Sequence, residues 1–350
     1  MTRFIQIHAL TVYAPSNLNR DDTGRPKTAR FGGERLRISS QALKRAIRTS
    51  EAFKTRVNGH NGQRTQRLGE ELRDYLVAKG IVAEAATKGA RQIAGIFGKL
   101  NPEADKTPTH IEQLAFIAPA ERAAAFALAD KIAAGEALPD KPEALAAEVL
   151  VASDTATDIA MFGRMLADNP HFNREAAVQL AHAITTHKVE VEDDFYTAVD
   201  DLKKPSEDAG AGFIGELGFG AGVFYIYACI DRALLERNLG GDKSLANIAI
   251  SALIEGLATA SPTGKQASFA SRARASYLRI EKGDQQPRSL AAAFLKPVRG
   301  DDLLEASIVA LEKLAVDMNT AYGACFDRDF VMNVANRENT LGGAIDFAVE

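Results

Sequence analysis

Residues 35–50 read RLRISSQALKRAIRTS and predict a helix that begins at Ser39 or Ser40, because serine side chains often cap helix N-termini. On an ideal helix the apolar positions share one face: Leu43, Ala46 and Ile47. Four polar positions fall within about 100° of one another on another face: Gln41, Lys44, Arg45 and Arg48. The helix therefore buries one side and presents cations on the other, which makes an anion a candidate partner.

The charge of the chain is distributed unevenly. The whole sequence carries a net charge of −4, yet the segment from Arg20 to Arg56 holds eleven Lys or Arg and only four acidic residues. That segment is therefore +7 and the remainder is −11. A local cationic field attracts phosphates whatever the total charge. Charge alone leaves open the plainer alternative of a solvated basic face.

The composition predicts an ordinary globular protein. A chain of 350 residues with 46% hydrophobic and 25% charged residues is long enough for two or three domains. Its two cysteines, Cys229 and Cys325, lie far apart and support neither a disulfide framework nor a zinc site. No apolar run approaches the ~20 residues that cross a bilayer. We therefore expect a cytoplasmic protein in a reducing compartment, with no membrane partner, no metal and no cofactor.

Hydrophobic periodicity divides the chain into three parts. Residues 4–12 alternate as a strand that ends before Pro15, and residues 15–37 lack periodicity and lead into the helix. From 58 to 180 the sequence is Ala-rich with a helical period, which predicts a helical insertion. Alternation then returns, and the Gly-rich stretch 209–222 suits a projecting hairpin. This order of elements predicts an α+β fold with a ferredoxin-like core.

Two other motifs carry little weight. The stretch GAGFIG at 210–215 fits the fingerprint of dinucleotide-binding proteins, but it leads into the β-rich VFYIYACI at 223–230 instead of a helix. Two histidines and two aspartates raise the hypothesis of a metal site: His182, His187, Asp193 and Asp194. Structural histidines beside an acidic turn are the favoured interpretation. The sequence therefore supports binding better than catalysis.

Four blocks of sequence together resemble a known family. They are LNRDD at 18–22, FGGERLRISSQALKRAIR at 31–48, AHAITTHKVEVEDDFYTAVDDL at 181–202 and GVFYIYACID at 222–231. In their order and spacing over roughly residues 1–260 they are similar to the backbone subunit of the type I-E Cascade CRISPR RNA-guided surveillance complex, the CasC family. The Ala-rich insertion and the C-terminal part match this family by position and length more than by motif.

The resemblance implies an architecture and a function. It implies an RRM-like (ferredoxin-like) palm at 1–57 and 181–350, with C-terminal helices, a helical fingers domain at 58–180 and a β-hairpin thumb at about 200–222. Such subunits have no catalytic role, polymerise along the spacer of a CRISPR RNA and contact other Cascade subunits. Target DNA is then recognised through pairing with the guide. The thumb displaces one guide base at regular intervals.

The resemblance also assigns RNA-binding residues. It implies that a set of polar residues binds the phosphate backbone of the RNA: Arg20, Lys27, Arg37, Ser39, Ser40, Gln41, Lys44, Arg45, Arg48 and, in the thumb, Lys203. It implies that four apolar residues make contacts near the displaced base: Met165, Phe195, Phe213 and Phe219. For Met165 a place in the core is an open alternative, and for Lys203 a solvated turn is.

Two other functional classes remain open from the residues. Backbone subunits of the related type III complexes are metal-dependent endonucleases that cleave target RNA with a loop aspartate, a role that Asp21 or Asp22 would fill here. A free-standing RNA chaperone would bind single strands without assembling. The endonuclease differs from a guide-binding backbone subunit because it would cleave target RNA. The chaperone differs because it would not form particles whose size depends on the length of the guide.

Overall fold

The computed structural model describes residues 2–150, 155–166, 169–198 and 213–350. The chain divides into two compact units. Unit 1 combines Met1–Phe53, Leu180–Cys229 and Ile250–Glu350, and unit 2 combines Lys54–Gln179 and Ile230–Ala249. The domain boundaries drawn from the sequence stay a prediction.

Within the described residues the chain forms eleven strands, twelve α-helices and three short 3-10 helices. The strands are β1 (Phe4–Ser16), β2 (Thr28–Arg30), β3 (Glu34–Ile38), β4 (Gln63–Thr65), β5 (Ala115–Ile117), β6 (Val178–Leu180), β7 (Ala183–Thr185), β8 (Glu192–Ala198), β9 (Phe213–Asp231), β10 (Ala275–Gly283) and β11 (Arg328–Asn333). The α-helices are α1 (Ser40–Thr49), α2 (Glu51–Val57), α3 (Leu68–Ala78), α4 (Ala83–Ala94), α5 (Pro119–Ala133), α6 (Pro142–Val149), α7 (Thr157–Phe162), α8 (Arg232–Asn238), α9 (Lys243–Thr259), α10 (Gln266–Phe269), α11 (Leu303–Tyr322) and α12 (Leu341–Val349). The 3-10 helices are Gly95–Phe97, Pro170–Phe172 and Ala291–Phe294.

The structure combines a large main sheet with α-helices, as an α+β fold requires. Across the described residues its strand order is β11-β10-β1-β9-β7-β3-β2, and β6 and β8 also pair with β9. The pairs β1–β10, β10–β11, β3–β7 and β7–β9 are antiparallel. A small second sheet joins β4 and β5. The expected α+β class is therefore confirmed.

Helix α1 forms where the sequence predicted it. The side chain of Ser39 caps it by accepting a hydrogen bond from the amide of Ala42 at 3.3 Å. The predicted apolar face is buried: Leu43, Ala46 and Ile47. A Cβ at Gly256 of α9 would lie 2.7 Å from Ile47 Cγ2, so α9 packs closely on this face only because residue 256 is glycine.

Several long elements confirm the predictions from periodicity. Periodicity predicts a helix from about Pro119 to Gly135, a strand at 223–230, a helix near 244–258, a strand at 274–280 and a helix around 303–322. Helix α5 begins at Pro119 and ends two residues before Gly135, and β9, α9 and α11 include the ranges predicted for them. Strand β10 begins one residue later than predicted, at Ala275, and continues to Gly283. The last three residues of GAGFIG, 213–215, lie in β9, so no helix follows the motif and a dinucleotide fingerprint is excluded there. Among the described helices, none is long and apolar enough to span a bilayer.

The first strand is longer than the sequence suggested. The prediction that it ends before Pro15 is wrong, because β1 continues to Ser16. Its pairing with β10 ends at Thr11, so the missing amide hydrogen of Pro15 costs no hydrogen bond in that ladder. The pairing with β10 therefore tolerates a proline at this position.

The region 15–37 also contains two strands, β2 and β3, that periodicity missed. Strand β3 has charged residues at 35 and 37, so it resembles a loop in sequence. Arg35 is nevertheless fully buried, and its guanidinium donates to the carbonyls of Phe31, Thr185 and Phe294 at 2.6 to 2.9 Å. These hydrogen bonds offset the cost of burying the charge, and they fix β3 to three other segments of unit 1 directly before α1 begins.

Candidate functional site

Helix α1 presents its cations on unit 1. Gln41 and Arg45 are exposed, while Ser40, Lys44 and Arg48 are half-buried. Burial lowers the pKa of Lys44 from its ordinary value because desolvation disfavours the ammonium form. An anion beside Lys44 would favour its charged form again. The arrangement therefore suits a negatively charged ligand.

Strand β3 adds a second polar group next to the helix. The guanidinium of Arg37 donates to the carbonyl of Thr28 at 3.2 Å and to Nδ1 of His182 at 2.9 Å. The pKa of His182 is lowered by burial and then by the charges of Arg37 and Lys27. Arg37, Lys27 and His182 thus lie together, with a neutral imidazole favoured near pH 7.

A cleft of about 490 Å³ lies along one flank of α1. Three cations from separate segments line it: Arg20, Arg45 and Lys265. Asp21 is the acidic residue in its wall. A Cβ at Gly264 would lie 2.4 Å from the carbonyl oxygen of Leu18, so only glycine lets this loop reach the segment before Arg20. The fold therefore brings two predicted RNA-binding residues together with one that was not predicted.

A second cleft, of about 420 Å³, lies beside the other at Thr49. Its walls include Arg272 and Arg274, together with Glu51. Sequence reasoning missed Lys265, Arg272 and Arg274, although no acidic residue occurs between Glu255 and Glu281. The absence of acidic residues from this stretch is the sequence signal that could have identified these three cations.

Strands β8 and β9 form a paired segment that we call the ladder, Glu192–Ala198 opposite Phe213–Phe219. Every β8 side chain is exposed, and Phe195 is 70% exposed. Tyr196 faces the opposite side at 47% exposure, where its ring covers Gly215. Two aromatic rings therefore stand on opposite faces of the ladder.

The remaining thumb residues differ in their surroundings. Phe219 packs against Phe269 with ring centroids 5.9 Å apart, so it anchors the base of the ladder. Phe213 begins β9 opposite Ala198. Lys203 lies outside the described residues, as does most of the predicted thumb span 200–222.

Met165 belongs to unit 2 and is 79% exposed, so the core alternative is wrong. Arg164, its neighbour, is buried and donates to Glu121 at 2.5 Å and to the carbonyl of Phe116 at 3.1 Å. The amide of Leu166, on the other side, donates to Asn173 Oδ1 at 2.6 Å. The exposed methionine therefore stands on a firmly held segment.

Asp21 has a local role in its own turn. Its Oδ1 accepts hydrogen bonds from the amide and hydroxyl of Thr23 and from the amide of Arg25, at 2.8 to 3.0 Å. These donors, the Thr23 side chain first, lower the pKa of Asp21. Among the described residues no group of three His, Cys, Asp or Glu is placed to hold a metal ion.

Comparison with solved structures identifies the class of protein. Over 99% of both chains, the structure matches a chain titled CRISPR RNA-guided surveillance complex, pre-nicking, with 30% sequence identity and a TM-score of 0.87. A chain of another CRISPR RNA-guided surveillance complex matches over the same coverage, with 26% identity and a TM-score of 0.74. The fold is thus that of a subunit of such complexes.

The family is shown by sequence as well. The chain belongs to the family of CT1975-like proteins, whose profile matches residues 5–347. No curated protein matches it significantly. Together these findings confirm the resemblance to a Cascade backbone subunit. The type I-E assignment stays a prediction.

Proposed function

We propose that this chain binds CRISPR RNA through the sugar-phosphate backbone and polymerises along the guide spacer, forming the backbone of a type I-E antiviral surveillance complex. The observation that carries the proposal is the cleft beside α1, where Arg20, Arg45 and Lys265 converge from three segments. Convergent cations of this kind neutralise phosphates. The similarity to chains of CRISPR RNA-guided complexes over 99% of the length supports RNA as the molecule that supplies these phosphates.

The chemistry of this face is independent of base sequence. Long cations and the polar first turn of α1 suit phosphate oxygens, which carry no sequence information. A protein that holds a guide must accept any spacer. Target DNA is then recognised by pairing with the guide.

In the proposed architecture, unit 1 is an RRM-like palm and the ladder is the base of its thumb. Phe195 on the ladder is exposed enough for a nucleotide to stack on it, and Met165 of unit 2 offers an exposed apolar contact. Further copies of the chain and other Cascade subunits are its protein partners, and the cytoplasm is its compartment. A repeated contact between unlike surfaces extends into a filament instead of closing as a dimer.

Co-expression with CRISPR RNAs of increasing spacer length tests the proposal. Particles should have discrete sizes that grow with spacer length, because each added copy needs a further stretch of guide. The measurement is the mass of the purified particle together with sequencing of its RNA. A constant mass at every spacer length would contradict polymerisation and favour the free-standing chaperone.

The alternative of a metal-dependent target-RNA endonuclease has a separate test. We propose no catalytic role for Asp21, since its Oδ1 is already engaged by Thr23 and Arg25. The assembled complex, incubated with Mg²⁺ and RNA complementary to its guide, should leave that RNA intact on a denaturing gel. Cleavage that disappears in Asp21→Ala or Asp22→Ala would establish the endonuclease instead.

A further inference from the structure

Asn17 joins two separate segments of unit 1. Its side chain is completely buried, at 0% exposure. The amide nitrogen Nδ2 donates to the carbonyl of Gly24 at 3.0 Å and to the carbonyl of Gly218 at 2.9 Å. Gly24 lies in the segment 17–27, which also carries Arg20 and Lys27, and Gly218 lies in the ladder. One buried amide therefore uses both of its hydrogens to hold this segment against the ladder.

Arg25 makes a second connection between the same segments. Its Nη1 lies 2.7 Å from Asp193 Oδ1 and its Nη2 donates to Oδ2 at 3.3 Å, a two-point ion pair. Glu216 Oε1 lies 3.7 Å from the same Nη1. Both acidic residues belong to the ladder, and both are partly exposed. This pair can therefore be removed with little disturbance of the core.

The two connections meet at one position of the ladder. Asp193 and Gly218 are directly opposite in the register of β8 and β9. A Cβ at Gly218 would lie only 3.2 Å from Pro26 Cδ, so the segment and the ladder are in close contact there. Phe195 follows Asp193 by two residues and projects from the same face. Phe195 therefore lies within two residues of this pair, on the same face of the ladder.

We propose that Asn17 and Arg25 are positioning residues that latch the base of the ladder to the segment 17–27. The latch fixes Phe195 relative to Arg20 and Lys27, so the stacking surface and the phosphate-binding cations move as one. This fixation is a property of the free protein. Its consequence for RNA rests on the proposed function.

Asn17→Asp tests the latch with almost no change in shape. An ionised carboxylate has no hydrogen to donate and would face two carbonyl oxygens, so both bonds are lost, whereas a carboxyl group that burial keeps protonated can donate to one of them at most. Asn238→Asp is the matched control, because the Asn238 amide likewise donates to two carbonyls, those of Ala160 and Glu175, at 2.9 Å each within unit 2.

The measurement is hydrogen–deuterium exchange of the free protein. In Asn17→Asp the ladder amides should exchange about tenfold faster, while β1 and β10 keep their rates. Asn238→Asp should leave the ladder unchanged. Equal acceleration throughout unit 1, or none in the ladder, would overturn the latch and leave Asn17 a general stabiliser.

If Asn17→Asp does not fold, the latch can still be tested with substitutions of two partly exposed residues, Arg25 and Asp193. Arg25→Gln and Asp193→Asn should each accelerate exchange in the ladder, and the double variant should match the single ones because the same ion pair is lost. Fully additive effects would show that the two side chains act separately and would refute the latch.

A binding measurement separates this inference from the proposed function. Asn17→Asp should weaken binding to a single-stranded RNA of spacer length severalfold, because the ladder is no longer held in place beside Arg20 and Lys27. Affinity unchanged in a variant whose ladder exchanges faster would overturn the positioning role. If the wild-type chain binds no RNA, the proposed function fails while the exchange results still decide the latch.

Discussion

Replacing Arg20, Arg45 and Lys265 together with alanine should weaken binding of single-stranded RNA on the order of a hundredfold at low salt. The three side chains line one cleft, so in the proposed complex they would meet neighbouring phosphates. The slope of log K against log salt should become shallower by about 2, because single strands lose about 0.7 per phosphate contact. Fluorescence anisotropy with labelled RNA over a salt series gives both quantities.

A charge-matched variant makes this result specific. Lys106, Lys141 and Lys243 are exposed and all lie in unit 2, so their replacement by alanine removes the same charge elsewhere. That variant should keep nearly the full affinity and slope. Two RNAs of unrelated sequence should lose affinity equally in the cleft variant. Equal losses in both triple variants would show a diffuse charge effect and no defined site.

Removing the ladder should abolish RNA-templated arrays while the rest of unit 1 stays folded. Residues 194–217 are replaced by Asn-Gly, because Asp193 and Gly218 are opposite one another and an Asn-Gly turn closes such a pair. The design keeps the contacts of Asn17 and Arg25 with the ladder base. The particles formed with CRISPR RNA are then imaged by electron microscopy.

The expected outcome follows from the position of the ladder. Among the described side chains it carries Phe195 and Tyr196, which are 70% and 47% exposed, and we propose that such rings contact nucleotides or a neighbouring copy. Phe195→Ala should give arrays of lower yield, since it removes one surface and keeps the strands. Normal arrays from the shortened chain would contradict the thumb assignment.

The parts of the molecule that could be predicted depend on local sequence. The capping serine and the 3.6-residue spacing of Leu43, Ala46 and Ile47 specify α1 without reference to the rest of the chain. The resemblance supplied the proposed function of that helix, and the comparisons confirm the class of complex. Local chemistry was therefore sufficient for the central element of the site.

Other parts depend on tertiary contacts that no local pattern shows. Strand β3 was missed because Arg35 occupies a core position, and its three carbonyl partners come from distant segments. Lys265 lines the cleft because Gly264 approaches Leu18 closely, a contact between segments that are far apart in sequence. Met165 is exposed next to Arg164, which forms a buried ion pair with Glu121, and a pattern of hydrophobic residues does not reveal this tertiary pair.

The length of β9 has a mechanical consequence. Phe213–Phe219 pair with β8, whereas Phe224 and Tyr225 of the same strand are buried and pair with β7. Tension applied to the ladder therefore passes along one unbroken backbone into the interior of unit 1. Antiparallel hydrogen bonds lie across the strand direction, so a pull along β9 loads several of them at once. The ladder therefore cannot move away from the rest of unit 1 unless hydrogen bonds of the main sheet break, and this continuity would let it resist strain if, as proposed, a stiff guide–target duplex forms beside it.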